Sequence, residues 1–103
     1  MYAVIFEVTP HPDRASEYFD LAAELRPELE HIDGFISIER FQSLADSERY
    51  VSLSFWRDEA AVASWRMHEG HQTAQEKGKA GIFKDFRIRV AKVERDYTLA
   101  DRS

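Results

Sequence analysis

Four stretches of the chain alternate in hydropathy with a period of two, and two stretches between them repeat apolar residues at helical spacing, in the order strand, helix, strand, strand, helix, strand. Few topologies accept that order. The first stretch puts Tyr2, Val4, Phe6 and Val8 on one side and Ala3, Ile5 and Glu7 on the other, and Pro10, His11 and Pro12 end it. Asp13 is placed to cap a helix in which Ala15, Tyr18, Phe19, Ala22, Leu25 and Leu29 recur, and Pro27 is expected to split its last turn into a second short piece. Ile32, Asp33, Gly34 and Phe35 read as a helix stop and turn, since glycine tolerates the left-handed backbone such a stop often requires.

A second strand, Phe35 to Gln42, is followed by polar turn residues 43–48. The third, Arg49 to Trp56, alternates Val51, Leu53 and Phe55 against Tyr50, Ser52, Ser54 and Trp56, so strands two and three are expected to form a hairpin. Asp58 is a credible N-cap for a helix carrying Ala61, Val62 and Trp65 on one face. Gly70 permits a break before a further helix through Ala74 and Gln75, and Gly78 and Gly81 close the helical region. The last strand, Ile82 to about Tyr97, sets Phe86, Ile88 and Val90 opposite Arg87, Arg89, Ala91 and Val93, with a loose tail from about residue 98. The expectation is one α+β domain over residues 1–103, a ferredoxin-like βαββαβ unit with helices on one face of a four-stranded antiparallel sheet.

The second face of such a sheet should be polar if it meets water. Ala3, Ile5, Phe35, Phe41, Tyr50, Trp56 and Val93, mixed with Glu7, Glu39, Arg87 and Arg89, make it too aromatic for that. Pairing two sheets face to face would bury the aromatics and let the glutamates and arginines neutralise one another, so a homodimer through the sheet face is expected.

The formal charge of -5 argues against a nucleic-acid surface, and no stretch approaches membrane-spanning length. Cysteine is absent, which removes disulfides, thiolate nucleophiles and cysteine-ligated zinc, and suits a cytoplasmic location. No glycine-rich phosphate loop, nucleotide fingerprint or serine elbow occurs.

Three segments together resemble the antibiotic biosynthesis monooxygenase family: Asp33-Gly34-Phe35 before strand two, the passage from Phe55 and Trp56 through Arg57, Asp58, Glu59, Ala60 and Ala61 to Trp65, and the closing strand from Phe86 to Tyr97. The resemblance implies a dimeric α+β barrel with a ligand cleft between helices and sheet in each subunit. Within that family are cofactor-free oxygenases of phenolic polyketides and haem-degrading oxygenases. Trp56, Trp65, Phe55 and Gln75 are the expected cleft residues, although both tryptophans would also serve as plain core residues.

The departures matter too. Phenol-oxidising and haem-degrading members use an asparagine near the reacting centre, and this chain has none. The haem-degrading branch places an axial histidine where Gln75 stands here, and glutamine is a poor iron ligand. His68 and His71 share that neighbourhood and are the candidate catalytic groups, as proton acceptor or donor or as iron ligand, with an exposed or capping role as the alternative. No metal is expected, because two histidines beside Glu69 lack a clear third ligand, and no resident cofactor is expected, haem being the exception to test.

The resemblance, together with these residue types, implies a monooxygenase acting on a small aromatic or hydrophobic ligand. The rivals are a haem binder or haem-degrading enzyme, a non-catalytic ligand-binding dimer, and isomerase or lyase chemistry on the same barrel.

Overall fold

The computed structural model describes residues 1–68, 72, 73, 76 and 81–102. Strand β1 (Tyr2–Pro10) leads through a 3-10 turn into α1 (Ala15–Glu30). A hairpin of β2 (Phe35–Gln42) and β3 (Tyr50–Trp56) follows, then α2 (Glu59–Met67) and β4 (Phe83–Lys92). The sheet order is β2-β3-β1-β4 with every neighbouring pair antiparallel, which is the ferredoxin-like arrangement. Among the described residues no helix is long and apolar enough to cross a membrane.

Local chemistry accounts for the ends of these elements and for three departures from expectation. Asp58 caps α2 as expected, its Oδ1 accepting from Ala61 N at 2.9 Å. Asp13 does not cap α1, because it falls inside the 3-10 turn that precedes the helix. Nor does Pro27 split α1. The carbonyl that its missing N–H leaves unpaired belongs to Ala23, and both residues lie on the exposed side of the helix, where water can satisfy it. The last strand stops at Lys92, five residues short of Tyr97, and its pairing with β1 closes on a bond from Val93 N to the Met1 carbonyl at 2.9 Å. The tail beyond it forms a 3-10 turn in which Thr98 N and Oγ1 both donate to Asp101 Oδ2, at 2.8 and 3.0 Å.

The strand ladder corrects the assignment of faces. Residues paired directly across an antiparallel ladder lie on one face. Tyr2 pairs with Trp56 and Val8 with Tyr50, so Trp56 and Tyr50 lie on the helix-covered face rather than the open one. Phe35 also lies there, packed edge-on against Trp56 with ring centroids 5.3 Å apart. A register shift between Phe35 and Ser37 makes this possible, since two residues of β2 oppose one of β3 and the side-chain alternation resets. The outer face instead carries Ile5, Val51, Leu53 and Phe55, with Phe41 toward its edge. Across it, within the one sheet, Arg89 Nη1 meets Glu7 Oε1 at 2.9 Å.

The helix-side core is divided. One cluster gathers Leu29, Trp56, Ala61 and Val62. The other gathers Val8, Tyr18 and Ile82. Helix α1 spans both, with Tyr18 near its start and Leu29 near its end.

Candidate functional site

Between the two clusters lies a cavity of about 470 Å³, enclosed by α1, α2 and the sheet. Its floor is made by Val4 and Phe6 of β1 and by Ser52 and Ser54 of β3. The serines explain the space: both are buried, both face the helices, and neither is long enough to fill the gap beneath α1. Leu21, Leu25 and Leu29 line the cavity from α1, and Val62 and Trp65 from α2. Ile88 and Val90 of edge strand β4 complete the apolar wall and stay 40% and 51% exposed, marking the side on which the cavity opens.

The polar groups on this wall are few. Ser54 Oγ accepts the indole N–H of Trp56 at 2.9 Å, so the tryptophan is satisfied while fully buried. Arg26, Arg40 and Arg66 also line the cavity, and no described aspartate or glutamate does. Arg26 is exposed and pairs with Glu30 one turn along α1, at 3.1 Å. Arg40 is half-buried, and its Nε makes a long contact of 3.4 Å to the hydroxyl of Tyr18.

The residues singled out from the sequence are distributed unevenly around this space. Trp65 lines the cavity as expected. Trp56 does not: it is a fully buried core residue beneath the α2 side of the cavity, stacked on Trp65 with centroids 6.5 Å apart. Phe55 is displaced further, because it alternates with Trp56 and points to the outer sheet face. His68 is the C-cap of α2 and stacks on Trp65 at 5.3 Å, one ring removed from the cavity wall. His71 and Gln75, with Gly70, Ala74 and Gly78, lie outside the described residues.

Among the described residues no group of three histidine, aspartate or glutamate side chains is arranged to hold a metal ion. The described cavity wall carries no histidine, and its one phenol, Tyr18, is engaged by Arg40. No histidine among the described cavity-lining residues is therefore placed to serve as an axial ligand for haem iron. Arg40, Ser52 and Tyr18 were missed as site residues in the sequence, yet one signal was there. Placing Glu39 on the outer face already puts Arg40 among the helices, where a charged residue needs a reason.

At the other end of α2, the turn and helix-start motifs meet. Arg57 bridges Asp33 at 3.1 Å and Asp58 at 2.9 Å, while its backbone N–H donates to the Gly34 carbonyl at 2.7 Å. The Arg57 guanidinium holds both carboxyls below their ordinary range, helped at Asp58 by the Ala61 N–H, and the two carboxylates in turn raise Arg57. Gly34 has φ +92°, and a Cβ there would stand 2.6 Å from the Ala61 Cβ, so glycine serves both the turn and the close approach of α2.

A family model described as antibiotic biosynthesis monooxygenase matches residues 1–77. The chain belongs to that family. Over 93 residues it is 47% identical to the jasmonate monooxygenase ABM of Pyricularia oryzae, an alignment covering 90% of this chain and 43% of that protein. The chain therefore spans less than half the length of that relative. It is 35% identical over 100 residues to the uncharacterized protein YqjZ of Bacillus subtilis, covering 91% and 80%. In fold it is similar to a crystal structure from Deinococcus radiodurans, with a TM-score of 0.86 at 13% identity over 96% and 98% of the two chains. The family resemblance thus holds, and in this family member the DGF turn and the FWRD helix start build the junction at α2 rather than the cavity wall.

Proposed function

We propose that this family member is a monooxygenase that oxidises a small, mainly apolar molecule held in the cavity between α1, α2 and the sheet. The cavity carries the reading: about 470 Å³ of largely apolar space, of a size to enclose one small organic ligand, in a chain akin to a jasmonate monooxygenase. Dioxygen is the oxidant, and no resident cofactor is invoked. An activated methylene of the substrate loses a proton, the carbanion reduces dioxygen, and the hydroperoxide formed loses water to leave a carbonyl. All electrons then come from the substrate. The apolar wall supplies desolvation, and the proton goes to His68, whose ring stacks on the cavity-lining Trp65, or to His71, which lies outside the described residues.

The working unit in this proposal is a homodimer in the cytoplasm, formed through the outer sheet face. Ile5, Val51, Leu53 and Phe55 give that face an apolar centre, and the Glu7–Arg89 pair removes the charge that burial would otherwise leave uncompensated.

Oxygen uptake with a panel of phenols and activated ketones tests the activity, with isotopic dioxygen to follow oxygen into product. Uptake that depends on ligand and falls in His68→Ala supports the reading. Saturable ligand binding without uptake would sink it in favour of a silent binder, and a stoichiometric Soret shift on haem titration would sink it in favour of a haem enzyme.

A further inference from the structure

We propose that the cavity is built for an anionic amphiphile, a carboxylate with an apolar body, and that Arg40 is the residue that holds the carboxylate. This rests on the ligand-binding cavity of the preceding reading and names the class of ligand it takes.

The charge distribution is the first argument. The chain carries a formal -5, yet its cavity is lined by three arginines and by no described acidic residue. A cavity for a neutral apolar molecule needs no arginine, and an acidic protein gains nothing by concentrating positive charge around an apolar space unless the occupant is an anion.

Arg40 is the second. Arg26 already has Glu30, so its charge is answered within α1. Among the described residues Arg40 and Arg66 have no acidic partner. Arg66 is exposed, whereas Arg40 is half-buried on the helix-covered face of β2, opposite Ser52. A guanidinium withdrawn from water without a counter-charge is costly, and a bound carboxylate relieves that cost through paired, charge-assisted hydrogen bonds. Tyr18 adds orientation. Its hydroxyl takes the Nε of Arg40, which leaves the two Nη groups for a ligand. The apolar tail would then lie along Phe6, Leu21 and Leu25 toward the open side at Ile88 and Val90.

Matched acids and esters test this on the intact protein: jasmonate with methyl jasmonate, and decanoate with methyl decanoate, by calorimetry and by quenching of the two tryptophans. Each acid is expected to bind about tenfold or more tightly than its ester. Arg40→Gln should abolish that preference by weakening acid binding far more than ester binding, while Arg40→Lys should restore only part of it. Tyr18→Phe should weaken acid binding alone. Esters that bind as tightly as their acids overturn the proposal on wild-type protein, whatever the variants do to folding, while the apolar cavity reading survives. A preference that persists in Arg40→Gln likewise overturns Arg40 as the anchor. If neither acid nor ester binds, both readings fall together.

Discussion

Trp56 Nε1 donates to Ser54 Oγ at 2.9 Å, two residues apart on one face of β3 and both buried, with Ser54 at the floor of the cavity. A serine that leaves room for a ligand thus also satisfies the most deeply buried aromatic ring. Ser54→Ala should leave the indole N–H without its partner and cost about 1–3 kcal/mol. Urea denaturation followed by tryptophan fluorescence measures it, and a loss below about 0.5 kcal/mol would mean that another acceptor reaches the indole.

Ser52 offers the opposite manipulation. It pairs with Phe6 and Arg40 across the sheet and faces the cavity, so Ser52→Leu should fill space rather than strain the core. Thermal stability should hold or rise while ligand binding and ligand-dependent oxygen uptake disappear. Retained binding would place the ligand elsewhere.

Gly34→Ala joins two penalties: a left-handed backbone at φ +92° and a Cβ 2.6 Å from that of Ala61. A loss of about 2 kcal/mol or more is expected, with α2 pushed from the turn. Denaturation midpoints would show it.

The Asp33–Arg57–Asp58 network predicts a pH dependence with a definite sign. Both carboxyls titrate below their ordinary value of 3.8 in the folded chain, so their contribution is present above that value. It is lost as the pH falls through the depressed folded values. Asp58→Asn keeps an acceptor for the Ala61 N–H and removes only the carboxylate charge that faces Arg57, so its melting temperature should fall less steeply below pH 3.8 than that of the wild type. High salt should shrink the difference, since the groups are exposed.

Phe55→Glu tests the dimer. The ring lies at the apolar centre of the outer face, and a carboxylate there would be buried without a partner in a face-to-face pair. Sedimentation should show a wild-type dimer and a monomeric variant. A monomeric wild type would remove the proposed assembly.

Much of this architecture was legible in the chain. The period of two in β1 and β4, the helical spacing from Tyr18 to Leu29, the Asp58 cap and the Gly34 turn are each written in a short window, because backbone geometry and capping depend on near neighbours. Pro27 was misleading for a reason no window contains: its cost depends on whether the freed Ala23 carbonyl meets water, which packing decides. Trp65 was found by the resemblance, whereas Arg40 and Tyr18, 22 residues apart in sequence, meet only when β2 lies beneath α1.

β3 separates the two levels most sharply. Its alternation determined by itself that Val51, Leu53 and Phe55 share one face and Ser52, Ser54 and Trp56 the other. Such a pattern is unchanged when the two faces are exchanged, so it does not say which one the helices cover. Pairing with β1 decided that, turning the small serines toward α1 and the larger apolar residues outward. The cavity, its arginines and the apolar outer face all follow from that placement, since each needs several distant segments on one side of one sheet.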